Sequence, residues 1–536
     1  MIDKTFKKLY DGFELDLPKN FDIKEYQKKY HLILVPNHQS HADYIALQYI
    51  LYKHGKIPVY IAAGVNLNIF PVGALFRKSG AFFIRRRFDK EIYKVTFQAY
   101  IYYLLRTDKV VEFFFEGGRT RTGKLLPPKY GLFSMLLDAY QNFEDKKPLM
   151  FIPVSIAHEM IPEENAHAKE LSGRKKEKEK STQLFKIFKL FNKKLGQVHI
   201  KFGQGIVVEE FDDLKEKTQS LAFECFRAVG RGMPVTPTSL LSLVLLDDTK
   251  GALTWKRILK KAREVIAYCE HMNIPVTKSL RIERLEESLK VAMDMFINNK
   301  KIRLIKREKL NQVFYTVCSD TRPHLLYHKN MILHHFLVPG IINTTWFNII
   351  NGNINNEHDL LKYQLTKRRE LKHEFYLPTV KEMIAETLKV VEYATKVKVK
   401  SLNEALNLGA PTLYKLAQKV SPFATAFNYI YEGYYVSALT LKHFNSKEFT
   451  EDEFLQIAKE LFDLEIEHGR VVRYSETYSV PKLKTTLKFF CDKGIIKCEG
   501  PKYSFLEFDK IDQYIEKFAD DVHDQISVNL KFPVDE

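Results

Sequence analysis

Residues 1–210 alternate short apolar runs with stretches of helical period. Leu32–Pro36 (LILVP), Val59–Ala63 (VYIAA), Ala81–Ile84 (AFFI), Val110–Phe115 (VVEFFF) and Phe151–Ile156 (FIPVSI) read as strands. Val198–Phe202 and Gly205–Val208 read as closing strands. Ala46–Tyr52 and Tyr93–Leu105 carry the apolar spacing of helices. Strands alternating with helices predict an α/β layered domain built on a central sheet.

The pattern changes from about Pro237. Helical periods dominate at Trp255–Cys269, Leu280–Ile297, Pro378–Thr395 and Glu453–Leu464. Two stretches, Leu280–Val317 and Pro481–Phe505, read as a helix followed by a β-hairpin. That order is winged-helix-like and fits a degenerate repeat; helical packing domains with no nucleic-acid role are the plainer reading. The expected division is a helical segment over residues 1–30, an α/β domain over 31–235 and a mainly helical region over 236–536. Lys169–Lys180 (KELSGRKKEKEK) is a charge run of the kind found in solvated loops.

Composition narrows the partners. The chain has 536 residues, 83 Lys and Arg against 66 Asp and Glu, and a net charge of +17. That surplus favours a polyanion: nucleic acid, an anionic lipid surface or a phosphorylated substrate. Five cysteines without a C-x-x-C argue against a disulfide framework or a zinc site and fit a reducing compartment. The N-terminus shows no secretory h-region. No run is long and apolar enough for an ordinary membrane span. Met331–Asn356 comes nearest: it lacks acidic, Lys and Arg side chains but contains several Asn, a Pro and the pair His334–His335. It fits a buried core segment or an interfacial, membrane-touching one.

Four segments carry candidate chemistry. In NHQSHAD, His38 and Asp43 lie five apart, just after the LILVP strand. With 17 His in the chain, about one H-x-x-x-x-D is expected by chance, so position carries the weight. Strand ends in open α/β sheets are where sites gather. An Asp in the first helical turn can hold a loop-borne imidazole in one tautomer and support its positive charge as it takes a proton. His41 is the competing histidine. In SGAFFIRRR, Arg85 and Arg87 would share one face of an extended chain and Arg86 the other. Guanidinium groups suit a phosphate, or simply a solvated basic edge. In FFFEGGRTRTGKLLPPKYG, Glu116, Gly117 and Gly118 precede Arg119, Arg121, Lys124 and Lys129. That block fits a phosphate cradle organised by one carboxylate, or a solvated basic loop. It lacks the spacing of a P-loop. In FIPVSIAHE, Pro153 interrupts a buried strand and asks for an edge, a bulge or a site role.

NHQSHAD, GAFFIRR, FFFEGGRTRTGKLLPPK and IPVSI, in this order, resemble the four acyltransferase blocks of the glycerol-3-phosphate acyltransferase family. The likeness is closest to its bacterial membrane-bound branch. IAAGVNLNIFPVG and KELSGRKKEKEKS resemble that branch as well. The resemblance is close over residues 31–210 and faint beyond.

It implies a glycerolipid-acyltransferase-like αβ domain with a mainly helical C-terminal region. It implies transfer of a fatty acyl group from acyl-coenzyme A or acyl-carrier protein to the sn-1 hydroxyl of glycerol 3-phosphate. His38 would be the base and Asp43 its orienting carboxylate. Arg86 and Arg119, with Arg85, Arg121 and Lys124, would hold the phosphate, and Glu116, Gly117 and Pro153 would shape the pocket. The thioester is a co-substrate, so neither cofactor nor metal is expected. Dihydroxyacetone phosphate and lysophosphatidate are the neighbouring acceptors. A phospholipid surface is the expected partner, with the chain peripheral or monotopic on the cytoplasmic face of a membrane. A basic nucleic-acid binder would leave His38, Asp43 and the EGGR block without a purpose, so no nucleic acid is expected.

Overall fold

Every side chain of LILVP is apolar, and strand β2 (His31–Pro36) is accordingly buried on both faces. Parallel partners flank it, β5 (Val110–Phe113) on one side and β6 (Leu149–His158) on the other. Beyond β5 lie β3 (Val59–Gly64) and the edge strand β4 (Ala81–Ile84), both parallel. Beyond β6 the direction reverses: β7 (Gln197–Phe202) and the short β8 (Ile206–Val207) pair antiparallel with it. β1 (Gly12–Asp16) closes that side, parallel to β7. The result is an eight-stranded sheet ordered β1-β7-β6-β2-β5-β3-β4, with β8 on β6 off this path. The structure, a computed structural model, describes residues 7, 10–54, 58–68, 72–78, 80–85, 90–143, 147–171, 195–247, 252–375, 377–472, 476 and 478–531.

Its helices are α1 (Ile23–Lys29), α2 (Ala42–His54), α3 (Val72–Lys78), α4 (Glu91–Arg106), α5 (Tyr130–Gln141), α6 (Glu164–Leu171) and α7 (Leu214–Gly232). α4 packs on α5, α5 on α7, and α7 on β6. The sheet and these helices, α6 only as far as Asn165, make the first of two compact units, Met1–Asn165, Lys176–Thr236 and Pro275–Lys278. The second is Ala166–Lys175, Pro237–Ile274 and Ser279–Glu536.

One expectation changes here and one is narrowed. Residues 1–30 are not simply helical, because the apolar-alternating GFELD pairs with β7 as strand β1. Pro153 is not on an edge; it faces a one-residue register shift, a bulge, in its antiparallel partner, with Val154 opposite Phe202 but Phe151 opposite Ile206. β6 is an interior strand, but its antiparallel partner is broken there: β7 pairs from Val154 onward and β8 from Phe151 back. The missing N–H falls at this break, and the Pro153 carbonyl accepts Gly203 N at 2.8 Å.

In the second unit both helix–hairpin stretches are present. The same element order occurs twice: a helix, a short strand, two helices, then a hairpin whose second strand pairs with the short strand. In one copy these are Pro237–Asp247, Ala252–Thr254, Trp255–Met272, Leu285–Asn298, Ile302–Arg307 and Gln312–Val317. In the other they are Asn428–His443, Phe449–Thr450, Glu451–Glu467, Val480–Asp492, Ile496–Glu499 and Lys502–Phe505. Each first helix after the short strand is N-capped by a threonine, Thr254 or Thr450.

The Met331–Asn356 stretch is core, not interface. Its helix Leu337–Ile350 is buried from Leu337 through Asn348. Two of its six asparagines bond inward, Asn343 Nδ2 donating to Val420 O at 2.8 Å and Asn348 Nδ2 to Asp524 Oδ2 at 2.9 Å, while the four from Asn351 to Asn356 are exposed. Gly340 is needed there, because a Cβ would lie 2.5 Å from the Phe427 ring.

Candidate active site

The site grows from the C-terminal ends of β2 and β5. Where β2 stops, the Asn37 side chain continues its ladder: Nδ2 donates to Ile156 O (3.0 Å) and Oδ1 accepts from Ile156 N (2.7 Å). The chain then leaves the sheet at a fixed point, with His38 next.

His38 is buried, stacked on Phe114 (centroids 4.0 Å, 26°) and edge-on to Tyr44. Its Nδ1 lies 2.9 Å from Asp43 Oδ2. A carboxylate can only accept, so Nδ1 carries the hydrogen and Nε2 is the basic nitrogen. Asp43, in the first turn of α2, also accepts Gln39 N (2.7 Å) and Ser40 N (2.9 Å) on Oδ2. Its Oδ1 accepts from His158 Nε2 at 2.5 Å, and His158 Nδ1 lies 3.1 Å from the Tyr10 hydroxyl. Burial pushes the Asp43 carboxyl up, but the hydrogen bonds from His158 and His38 outweigh it and hold it at about 2. Burial also lowers the His38 imidazole below its ordinary value, with the Asp43 bond opposing it only in part. At neutral pH His38 is therefore a neutral base against a fixed carboxylate.

A second pair sits beside the first. Glu163 Oε1 accepts His41 Nδ1 (2.8 Å), His41 N (3.1 Å) and the Arg119 guanidinium (3.0 Å), and its Oε2 accepts Ser40 Oγ (2.8 Å). Burial would raise the Glu163 carboxyl, but His41 and Arg119 hold it well below the usual carboxylate range.

The EGGRTRTGK loop is stitched to the histidine loop. Glu116 Oε1 accepts His38 N (2.8 Å), Glu116 Oε2 accepts Leu126 N (3.0 Å), and Thr120 N donates to His38 O (2.9 Å). Burial pushes Glu116 up to about 8, and the two backbone N–H groups only moderate this. Gly117 has φ +66°, and a Cβ on it would come within 2.9 Å of Lys129 Cγ, so glycine is required at that bend.

The candidate phosphate ligands fall unevenly. Arg121 and Lys124 are half-buried in the loop that Glu116 and Thr120 pin beside His38. Arg119 is buried against Glu163. Arg85, at the end of β4, is exposed, its guanidinium 4.9 Å over the Tyr93 ring. Arg86 and most of the Lys169–Lys180 run lie outside the described residues.

A model of the acyltransferase family matches residues 20–157, and a model of the glycerol-3-phosphate acyltransferase C-terminal region matches residues 167–499, more than half the chain. The chain belongs to the glycerol-3-phosphate acyltransferase family. Curated relatives carry that name, three of them as follows. The one from Pseudomonas fluorescens is 30% identical over 363 residues, covering 63% of this chain and 42% of its own. That of Glaesserella parasuis is 31% identical, covering 64% and 44%, and that of Pseudoalteromonas translucida 32%, covering 63% and 43%. The chain thus spans less than half the length of these curated relatives. Among solved structures, the 1-acyl-sn-glycerophosphate acyltransferase PlsC from Thermotoga maritima is similar at 18% identity and a TM-score of 0.26, over 40% of this chain and 71% of that one.

In this family member, several site groups escape a reading of the motifs alone. His158, Tyr10 and Glu163 are separated from His38 by long stretches of chain and arrive only through the fold. His158 ends the FIPVSIAH strand, and a buried strand that terminates in His beside the partner of NHQSHAD is a readable signal. Glu112 on β5 is fully buried without a hydrogen-bond partner among the described residues, and burial raises its carboxyl well above the ordinary value. Among the described residues no group of His, Cys, Asp and Glu is arranged to hold a metal ion.

Proposed function

We propose that the chain is a glycerol-3-phosphate 1-O-acyltransferase. It transfers a fatty acyl group from acyl-coenzyme A or acyl-carrier protein to the sn-1 hydroxyl of glycerol 3-phosphate, giving lysophosphatidate. The observation that carries this reading is the buried His38–Asp43 pair at the strand ends, with its Nδ1 committed to the carboxylate. His38 Nε2 takes the proton of the hydroxyl as its oxygen attacks the thioester carbonyl. The tetrahedral oxyanion collapses, the C–S bond breaks, and the thiolate leaves with the proton that His38 returns. Asp43 supports the transient imidazolium, and His158 and Tyr10 fix the carboxylate from behind. No side chain is acylated. Arg86, Arg85, Arg121 and Lys124 bind the phosphate. Arg119 joins them while its guanidinium also holds Glu163, and Glu116 and Gly117 set the loop that carries the cations.

A lipid product favours peripheral attachment to a phospholipid surface on the cytoplasmic side. Among the described residues no helix is long and apolar enough to cross a membrane. The deciding assay supplies purified protein, in detergent or lipid, with palmitoyl-coenzyme A and three acceptors in parallel: glycerol 3-phosphate, dihydroxyacetone phosphate and lysophosphatidate. The largest kcat/KM is expected with glycerol 3-phosphate. Preference for either other acceptor reassigns the substrate, and no product from any of them overturns the reading. Arg86→Ala is expected to raise KM for the phosphorylated acceptor far more than for the thioester; an equal rise in both removes Arg86 from the phosphate site.

A further inference from the structure

Helix α4 is apolar on two opposite faces. Phe97, Ile101, Leu104 and Leu105 are buried against the sheet side. On the outer face Ile92 is 77% exposed and Val95 and Tyr103 are each 55% exposed, with the exposed Ala99 between them. Spacings of three and four residues put these on one stripe. Apolar faces on opposite sides of a helix call for apolar surroundings on both, and the described residues cover only one side of this one.

The neighbouring sheet edge extends the stripe. Phe82, Phe83 and Ile84 of β4 are each half-buried, and β4 offers an open edge. Phe82 lies edge-on to Tyr100 (5.3 Å), which stacks on Tyr103 (6.4 Å, 24°). Cations rim the patch. Arg77 lies over Phe83 (5.7 Å) and Arg85 over Tyr93 (4.9 Å), while Lys90, Lys94 and Arg106 are exposed on α4 and its flank. The acid within α4, Glu91, is paired with Lys94 at 3.7 Å.

Aliphatic side chains, amphipathic rings and a cationic rim match the headgroup layer of an anionic bilayer. A nucleic acid would use the cations but gain nothing from Ile92 and Val95. The location is also apt. β2, β4 and β5 run parallel, so Arg85 and His38 emerge at the same end of the sheet, where α4 begins with Arg85 N donating to Tyr93 Oη at 3.0 Å.

We propose that the outer face of α4 together with edge strand β4 is the surface that seats the protein on an anionic phospholipid bilayer. The proposal rests on the lipid-synthesising reading above and names the face through which it operates. The test is co-sedimentation with vesicles of mixed phosphatidylglycerol and phosphatidylcholine. Wild type is compared with the double variant Ile92→Glu/Val95→Glu and with the control Leu304→Glu/Ile305→Glu, which charges another exposed apolar pair. Wild type and control are expected to bind, and the α4 variant to lose about tenfold or more in vesicle partition. The α4 variant should keep wild-type turnover of a water-soluble short-chain acyl-coenzyme A, which reports an intact site. Binding of the α4 variant equal to wild type overturns the face but leaves peripheral attachment standing. A wild type that ignores the vesicles at low salt overturns both, while the acyl-transfer assay still reports on the enzyme itself. Conversion of a wild-type dimer to a monomer by the α4 substitutions, without a change in vesicle binding, makes the face a contact between two copies and overturns the proposal.

Discussion

NHQSHAD holds two histidines three residues apart, each paired with a carboxylate, and the two pairs do different work. His38–Asp43 and His41–Glu163 share the same contact, an imidazole Nδ1 against a carboxylate at 2.9 and 2.8 Å. The surroundings separate them. Asp43 is stabilised by backbone N–H groups and a second histidine, so its charge stays available to an imidazolium on His38. Glu163 is shared among His41, Ser40 and the Arg119 guanidinium, so its charge is already neutralised. One pair is a base with its support; the other is a clamp joining the histidine loop to the EGGR loop. Spacing does not tell them apart, but the partners of each carboxylate do.

The most damaging change at a group that positions rather than transfers the proton is Asp43→Asn. An amide offers one acceptor atom where four donors converge, so the His38 tautomer is lost and kcat should fall on the order of 10²- to 10⁴-fold. The pH profile gives a second readout. His38 acts as a neutral base and burial lowers its pKa, so the acid limb of kcat/KM should lie below the ordinary imidazole value. Because the Asp43 bond and charge raise that pKa, the limb should move lower still in Asp43→Asn. A limb that stays in place would detach Asp43 from His38.

His158→Phe comes next. It leaves the buried Asp43 Oδ1 without its donor, a loss of about 1–3 kcal/mol, or roughly 5- to 150-fold in kcat. KM for both substrates should hold, and His158→Gln, which can still donate, should recover most of the loss. An unchanged kcat in His158→Phe would make the contact merely structural.

The smallest effect is one of stability. Glu112 is buried without a hydrogen-bond partner among the described residues, and burial raises its carboxyl well above the ordinary value, whereas in the unfolded chain it ionises above that ordinary value. Its raised folded pKa therefore costs the native state increasingly as pH rises through and above the ordinary carboxyl range. Glu112→Leu should raise Tm, by the equivalent of about 1–3 kcal/mol at pH 8 and by less at pH 5. The same gain at both values would show that Glu112 is not neutral in the fold.

Apart from β1, the strands of the first unit are legible because they are bounded by turn residues and filled with β-branched or aromatic side chains, as in LILVP and VYIAA. Val110–Phe115 is overread by two residues, since Phe114 to Gly117 forms the turn that seats Phe114 on His38. His38 and Asp43 are visible because they are local in sequence. His158 and Tyr10 are not, because only the β2–β6 pairing and the N-terminal segment bring them to Asp43. The helical half is hardest for a different reason. Lys329, Lys367 and Lys482 are buried against Glu476, Asp521 and Glu374, partners too distant in the chain for local patterning to announce. The apolar Met331–Asn356 stretch fits core or a surface for lipid and is core through Asn348, while the apolar outer face of α4 is hidden inside an ordinary helical period.

The most direct measurement sets the two pairs against each other: acyl transfer from palmitoyl-coenzyme A to glycerol 3-phosphate by His38→Ala and His41→Ala, prepared side by side with thermal melts of both. His38→Ala is expected to keep the wild-type melt and lose at least the 10²- to 10⁴-fold that a general base contributes. His41→Ala is expected to melt earlier and, below its transition, to turn over within about tenfold of wild type. A folded His38→Ala as active as wild type, or a His41→Ala that melts normally and is inert, would contradict the assignment of the base.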